Sequence, residues 1–243
     1  MTIRLHDVHK SFGTQLVLDG VSFEVPKGGS LALMGPSGSG KSVILKHIVG
    51  LLQPDSGTVE VLGKDLAKLK REELRELRRD MGYLFQHSAL INWLNVFENI
   101  ALPLRETTSM REPEVRARVM QVLTQVGMED ARAKLPGEIS GGMQKRVGLA
   151  RALVTDPKVI LFDEPEAGLD PQMSASVSRL IRRLREELGT TSVTVTHSVD
   201  CAREVADTLA VFDAGRLIAV GPPDEVLASD LPRVQEFLGH KIS

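Results

Sequence analysis

The amino-acid sequence predicts an α/β fold with a mainly parallel core sheet, an antiparallel β region at its beginning and a helical insertion. Short β-rich runs open the chain at residues 2–8 and 16–25. After them, short apolar strands alternate with helices, a rhythm typical of parallel sheets. That rhythm is interrupted from about residue 87 to 155, where only helical patterns occur.

Each element follows from local sequence signals in chain order. Turns at PKGG (26–29) and QPDSG (53–57) separate the early strands. Apolar runs predict strands at residues 2–8, 16–25, 30–35, 58–63, 82–86, 158–165, 191–197, 208–215 and 216–221. Apolar residues at helical spacing predict helices at residues 41–52, 71–81, 95–105, 112–127, 143–153, 171–188, 199–206 and 223–238. Gly189 is expected to end the helix that precedes it.

Composition limits the classes of function. Of the 243 residues 42% are apolar, which is enough for a core in one or two domains. The formal net charge of −2 gives no electrostatic reason to expect a nucleic-acid partner, and the mixed charges of residues 68–80 are typical of a solvated helix face. The single cysteine, Cys201, excludes an internal disulfide and fits a reducing cytosol. No apolar run approaches the ~20 residues of a membrane span, so we expect a membrane role only through a partner.

A glycine-rich loop between a strand and a helix predicts a phosphate site. Residues 35–42, GPSGSGKS, match G-x-x-x-x-G-K-[ST] in full and in the context that the motif requires. The glycines let backbone N–H groups turn toward a β-phosphate, Lys41 is suited to the β/γ oxygens, and the Ser42 hydroxyl is suited to Mg²⁺. The alternative, a chance glycine-rich turn, does not account for the strand and helix on either side.

Polar side chains end three further predicted strands. Asp163 and Glu164 end VILFDE, His197 ends TSVTVTH, and Gln86 ends GYLFQ. Open α/β sheets bind ligands at the carboxyl ends of their strands. We therefore expect Asp163 near Mg²⁺ and Glu164 beside the attacking water, with the histidine near the γ-phosphate and the amide bridging Mg²⁺ and water. In isolation, two acids could form only a solvated turn, and a lone histidine is commonly structural.

A second anion-binding pattern occurs in EISGGMQKRVGLARAL, residues 138–153. Ser140, Gly141 and Gly142 directly precede a predicted helix, where backbone N–H groups and the helix dipole attract negative charge. One nucleotide does not need two phosphate-binding helix ends, so the purpose of this one needs a separate explanation.

The motifs, in this order, resemble those of the nucleotide-binding subunit of ABC (ATP-binding cassette) transporters over essentially the whole chain. Walker A corresponds to 35–42, the Q-loop to Gln86, the signature to 139–143, Walker B to 159–164, the D-loop to 167–170 and the switch histidine to His197. The resemblance implies one ABC ATPase domain, a P-loop NTPase with a RecA-like core at residues 1–86 and 156–243. A helical subdomain at about 87–155 completes it.

The resemblance also implies ATP and Mg²⁺ as ligands and assigns a role to each motif residue. It implies ATP contacts from Phe12, Gly35, Pro36, Ser37, Gly38, Ser39, Gly40, Lys41, Ser42, Val43 and Gln86. It implies Mg²⁺ ligation by Ser42, Gln86 and Asp163, catalysis by Lys41, Glu164 and His197, and a D-loop role for Asp170. Phe12 stands where the family stacks an aromatic ring, usually tyrosine, on adenine. The alternative for Phe12 is a plain core phenylalanine.

The family's assembly explains the second anion site. Two subunits of such transporters pack head to tail, and each signature helix caps the ATP held by the other subunit. Ser140, Gly141 and Gly142 are therefore expected to contact the ATP of a second copy of this chain. The signature ends in Met143 where glutamine is usual, and Gln144 points about 100° away along a helix. Glu166 also departs from the family, which often has threonine or an aromatic residue there.

Three segments resemble one branch of the family, the ATPase of Mla-type importers, which work with MCE-domain proteins to move phospholipids between bacterial membranes. These are residues 85–106, the signature and residues 231–240. The branch implies an integral membrane permease, an MCE-type lipid-binding partner and a peripheral location on the cytoplasmic face of the inner membrane. The alternatives are the ATPase of a small-solute importer, a mechanical transmitter of the cell-division ABC type and an iron–sulfur assembly scaffold.

The only tryptophan, Trp93, lies between the Q-loop and the predicted helical subdomain. The resemblance implies that the permease docks in this region, and Leu90, Ile91 and Leu94 add apolar surface there. Two interpretations remain open. Trp93 contacts the permease, or it packs in the core of the helical subdomain.

Overall fold

A computed structural model describes residues 1–237 and contains two β-sheets. The strands are β1 (Ile3–Phe12), β2 (Gln15–Val25), β3 (Ser30–Met34), β4 (Ser56–Val61), β5 (Lys64–Asp65), β6 (Met81–Leu84), β7 (Val159–Asp163), β8 (Thr191–Val195), β9 (Thr208–Asp213) and β10 (Arg216–Gly221). The α-helices are α1 (Lys41–Ile48), α2 (Arg71–Arg79), α3 (Val96–Thr107), α4 (Glu112–Val126), α5 (Gly141–Leu153), α6 (Pro171–Leu188), α7 (Val199–Val205), α8 (Pro223–Leu227) and α9 (Pro232–Phe237). The α/β fold class is confirmed.

The smaller sheet is antiparallel, with the strand order β2-β1-β4-β5. Ile3 of β1 pairs with Val25 on one side and with Val61 on the other. Buried residues of this sheet share one apolar core with Ile44 and Leu45 of α1. The antiparallel region predicted at the start of the chain therefore covers the helix that follows the glycine-rich loop.

The larger sheet has the order β10-β9-β3-β8-β7-β6 and is parallel except for β10, which forms the predicted edge hairpin with β9. All residues of β3 and β8 are buried, as in parallel strands that are covered on both faces. Val195, the last residue of β8, pairs with Leu33 of β3 and with Asp163 of β7. The carboxyl ends of these three strands therefore lie side by side, as the predicted site requires.

Several element boundaries differ from the prediction. β6 and β8 each end two residues early, so Gln86 and His197 lie on loops just beyond their strands. Helix α1 ends at Ile48 because Gly50 takes the left-handed conformation and its N–H donates to His47 O. The helix predicted at 223–238 is divided into α8 and α9, and its last residue lies outside the described part of the chain.

Helices α3, α4 and α5 lie between β6 and β7 in the chain and pack on one another. Their apolar core is continuous with Ile160 and Phe162 of β7 and with α6. The buried Asn99 side chain accepts a hydrogen bond from Ile91 N (2.8 Å) and donates to Leu94 O (2.9 Å), which fixes the preceding loop. The division into a core and a helical subdomain stays a prediction, since one apolar cluster joins them.

From residue 1 to 237, none of the helices is long and apolar enough to cross a membrane.

The contact between β6 and α5 gives a test of this packing. A Cβ at Gly82 would lie 2.3 Å from the carbonyl oxygen of Ala152. We expect Gly82→Ala to cost about 1–3 kcal/mol of unfolding free energy and to lower Tm by roughly 2–10 °C, since backbone must move. The matched control is Gly137→Ala, whose Cβ would meet no atom within 4 Å. Equal Tm values for the two variants in a calorimetric scan would contradict this packing.

Candidate functional site

The glycine-rich loop between β3 and α1 adopts a backbone conformation that residues with a Cβ atom could not adopt without strain or steric clash. Gly35, Gly38 and Gly40 have positive φ angles of 155°, 77° and 109°. A Cβ at Gly35 would lie 2.0 Å from Phe212 O, and one at Gly40 would lie 2.8 Å from Val17 Cγ1. The loop conformation therefore requires glycine, which is what a close approach of backbone to phosphate also requires.

Lys41 begins α1 with its side chain folded into this loop. It is 5% exposed, and its Nζ donates to Gly35 O (2.8 Å) and Pro36 O (2.7 Å). Burial lowers the pKa of Lys41, and the negative charges of Glu164 and Asp163 oppose that shift. The loop therefore holds a buried cation within the electrostatic reach of the two acids at the end of β7.

The Ser42 hydroxyl donates to Asp163 Oδ1 at 2.9 Å and so joins the two predicted Mg²⁺ ligands. Tyr83 of β6 donates its hydroxyl to the other carboxylate oxygen at 3.3 Å. Burial raises the pKa of Asp163, while the hydrogen bonds from Ser42 and Tyr83 oppose the increase. Sequence analysis missed Tyr83, because its role depends on the pairing of β6 with β7.

Glu164 lies at the centre of a second hydrogen-bonded group. Its Oε2 accepts from Gln86 Nε2 at 2.9 Å and lies 3.7 Å from His197 Nδ1. The backbone of Glu164 is left-handed, with φ of 47°, and its N–H donates to Val195 O at 2.9 Å. The three polar residues that were predicted at separate strand ends therefore meet at one side chain.

Lys145 of α5 joins this group from the helical region. It is 5% exposed, and its Nζ donates to the carbonyl oxygens of Gln86 and of Glu164, the latter at 3.1 Å. Burial lowers the pKa of Lys145, and Glu166, Glu164 and Asp163 oppose that shift. Sequence analysis missed this lysine. The available signal was its helical spacing from the buried residues Gly142 and Leu149.

A cavity of about 530 Å³ opens beside Glu164 and His197, lined by the loop after β7 and by α6 and α7. Glu166 is buried in its wall and accepts a hydrogen bond from the Thr196 hydroxyl. The glutamate that departs from the family pattern therefore links the loops that follow β7 and β8.

The signature residues lie at the start of α5, as predicted. Ser140 is the N-cap, and its Oγ accepts from Met143 N at 3.3 Å. A Cβ at Gly142 would lie 2.5 Å from the sulfur of Met173. Met143 packs against the apolar core, and Gln144 donates its side-chain amide to Pro136 O at 2.9 Å. Through residue 237, no hydrogen bond joins Ser140, Gly141 or Gly142 to the glycine-rich loop.

Asp170 of the D-loop lies at the N-cap of α6, where its carboxylate accepts from Met173 N at 2.9 Å.

The two aromatic residues whose positions were open are both exposed. Phe12 is 46% exposed, and Lys10 Nζ lies 5.6 Å from its ring centroid. Trp93 is 82% exposed. The alternative that Phe12 and Trp93 are buried core residues is therefore wrong. Stacking of Phe12 on adenine stays a prediction.

Comparison with known proteins gives one family. The sequence pattern described as ABC transporter matches residues 18–167. The chain is 44% identical over 238 residues to the "probable ribonucleotide transport ATP-binding protein mkl" of Mycobacterium leprae, covering 98% of this chain and 69% of that protein. The chain thus spans about two thirds of the length of its mycobacterial relatives, 66% for the Mycobacterium bovis protein.

Two further relatives have different named substrates. The "intermembrane phospholipid transport system ATP-binding protein MlaF" of Haemophilus influenzae is 41% identical, with coverage of 93% of this chain and 86% of that protein. The "sulfate/thiosulfate import ATP-binding protein CysA" of Bradyrhizobium diazoefficiens is 40% identical, with coverage of 100% and 70%. Among solved structures, the dimeric post-hydrolysis state of the ATP-binding cassette MJ0796 bound to ADP and Pi has a TM-score of 0.83 and 33% identity, covering 91% of this chain and 99% of that one.

Proposed function

We propose that this chain, which belongs to the ABC transporter family of ATP-hydrolysing subunits, powers phospholipid transport through a separate membrane permease. One observation carries the catalytic part of the proposal. Three motifs from distant parts of the sequence converge at the carboxyl edge of the larger sheet, through the hydrogen bonds of Ser42 with Asp163 and of Gln86 with Glu164. Such an arrangement suits positioning and charge stabilisation, which are the main needs of phosphoryl transfer.

The donor atoms at this edge fit Mg²⁺. Ser42 and Asp163 offer oxygen ligands that already lie 2.9 Å apart, and the amide oxygen of Gln86 is a third candidate. Between residues 1 and 237, no group of three histidine, cysteine or acidic side chains is arranged to hold a metal ion. Mg²⁺ typically binds through one or two carboxylates together with substrate phosphates and water. When bound, it would neutralise charge on the phosphate oxygens.

Each catalytic side chain has a defined task in this proposal. Lys41 and the glycine N–H groups hold the phosphates, while Phe12 stacks on adenine from the end of β1. Glu164 accepts a proton from the water that attacks the γ-phosphorus. Gln86 fixes the carboxylate from one side, and His197 lies within 3.7 Å on another, close enough to orient water or the γ-phosphate.

The exposed signature favours a dimer with two shared ATP sites. Ser140 and Gly141 are exposed at the start of α5, where backbone N–H groups suit a phosphate of a second copy. The cassette MJ0796 has been solved as a dimer with ADP and Pi, which supports the same assembly here. Asp170, at the N-cap of α6, would lie at that dimer interface.

The permease is proposed to dock beside Trp93. A groove of about 360 Å³ next to this loop is lined by apolar Phe85, Ile91 and Pro103 and by the cations Arg78 and Arg151. Gln86 directly follows Phe85 of that groove and donates to Glu164, so closure of the dimer would be passed to the docked partner. Residues 87–155 would act as the helical subdomain that transmits this motion.

Phospholipid is the favoured substrate because the relatives include MlaF, which is named for intermembrane phospholipid transport, at 41% identity. The proposed setting is the cytoplasmic face of the inner membrane, with an MCE-type lipid-binding protein as a further partner. The second candidate is a small-solute importer, favoured by the similarity to CysA. An adjacent gene for a permease with an MCE-type protein would support the first, and one for a solute-binding protein would contradict it.

We expect Lys41→Ala to abolish ATP turnover and weaken ATP binding, because it removes the buried cation of the glycine-rich loop. Turnover is measured by phosphate release from the purified chain, and folding by circular dichroism. Lys64→Ala, which removes an exposed lysine in β5, is the matched control. Wild-type turnover in a folded Lys41→Ala variant would contradict the assigned phosphate site.

We expect Glu164→Gln to bind ATP, hydrolyse it very slowly and accumulate as a dimer, because the water is no longer activated. Light scattering with Mg-ATP measures the dimer. Adding Ser140→Arg should abolish it by placing a bulky cation at the shared site, whereas Ser109→Arg on an exposed loop should not. A Glu164→Gln protein that stays monomeric at every concentration, even with the permease, would count against shared sites.

We expect Trp93→Ala to keep its Tm and ATP affinity while losing co-purification with the permease and lipid transport. The indole ring of Trp93 is exposed in this chain and therefore contributes little to folding. At an interface hot spot, truncation of such a side chain typically costs about 2 kcal/mol or more of binding free energy. Val220→Ala, which truncates another exposed apolar side chain, on the edge strand β10, is the control. Normal permease binding by Trp93→Ala would exclude the proposed docking site.

A further inference from the structure

Helix α5 carries a buried cation, Lys145, to which the sequence motifs assign no role. Lys145 lies three residues after Gly142, one turn into the helix that presents the signature. It is 5% exposed. Burying an ammonium group is costly unless its donors are satisfied, so a lysine at such a position needs defined partners.

The partners of Lys145 are backbone oxygens of two other motifs. Its Nζ donates to the carbonyl oxygen of Gln86 in the Q-loop and to that of Glu164 after β7, the latter at 3.1 Å. In the part of the chain that the structure describes, no carboxylate oxygen lies within 4.0 Å of this ammonium group. Lys145 is therefore a bridge between backbone segments and not one half of an ion pair.

The carbonyl oxygen of Glu164 accepts two hydrogen bonds, one from Ala167 N in the following turn and one from Lys145 Nζ of α5, each at 3.1 Å. The N–H of Glu164 is held by Val195 O of β8, and its side chain is held by Gln86. Its φ of 47° is unusual for a residue with a long side chain and costs free energy unless its surroundings fix it. On the carbonyl side, Lys145 provides the contact that comes from the helical region, in addition to the local one from Ala167 N.

We propose that Lys145 is a positioning residue for ATP hydrolysis, which holds Glu164 and Gln86 in fixed relation to the signature helix. A movement of α5 toward a nucleotide would then move the two residues that place the attacking water. This inference deepens the proposed function and rests on hydrolysis by this site, but not on the identity of the transported substrate.

The test uses steady-state ATP hydrolysis by the purified full chain, with Lys145→Met as the main variant. Methionine fills similar volume but donates no hydrogen bond. We expect kcat to fall about 10- to 100-fold while KM for ATP changes less than about 3-fold, because the variant no longer positions the attacking water but still binds the nucleotide. Lys158→Met, which removes an exposed lysine paired with Asp80, is the matched control and should leave kcat unchanged.

A conservative variant and a double variant separate positioning from folding. Lys145→Gln keeps one amide donor and should restore kcat to within about 10-fold of the wild-type value. Combined with Glu164→Gln, Lys145→Met should cause little further loss of kcat, since the two residues act as a unit. Three outcomes would each overturn the proposal. The first is a wild-type kcat in Lys145→Met, and the second is an equal fractional loss of kcat when Lys145→Met is introduced into the wild-type chain and into Glu164→Gln. The third is failure of both Lys145 variants to fold. Absence of lipid transport by the wild-type chain with its permease, while its ATP hydrolysis is normal, would instead count against the proposed substrate.

Discussion

The parallel alignment of β3, β8 and β7 is the constraint on which the site depends. Because Val195 pairs with both Leu33 and Asp163, the loop after each strand begins at the same level of the sheet. A glycine-rich loop and an acidic pair from widely separated parts of the chain are thereby brought within hydrogen-bond distance, and a histidine lies 3.7 Å from the second acid. Antiparallel neighbours would have placed these loops at opposite edges, and no local sequence signal could then have joined them.

Charge balance within this edge is the second constraint. Lys41 and Lys145 are both buried, and burial lowers the pKa of each. The acids that oppose these shifts are Asp163 and Glu164 for both lysines and Glu166 for Lys145, and they lie at the end of β7 and in the loop that follows it. Each charge would be expensive alone in such surroundings, so the cations and acids support one another's burial. The electrostatics of hydrolysis and the stability of this edge therefore rely on the same side chains.

Helix α5 connects the two ends of the proposed mechanism. Its N-cap Ser140 and first residue Gly141 are exposed, while its interior face contacts β6 so closely that a Cβ at Gly82 would lie 2.3 Å from Ala152 O. Lys145 lies between these regions and donates to loops beyond β6 and β7. Because α5 is exposed at its N-terminus and tightly packed along its side, a displacement caused by a ligand at the N-terminus would also move the elements packed against the helix. Such coupling suits a subunit in which nucleotide binding moves a partner.

The sequence by itself determined the fold class, the phosphate loop and most of the residues of the candidate site, because these are written in short motifs with strict local requirements. GPSGSGKS needs only its flanking strand and helix to be recognised, and the side chains Asp163, Glu164, Gln86 and His197 each follow an apolar strand. Only the tertiary structure decided that Trp93 and Phe12 are exposed, and that Tyr83 and Lys145 reach the acidic loop. Exposure and long-range contacts depend on which strands become neighbours and how closely a helix packs on them, and neither is fixed by residues close in sequence.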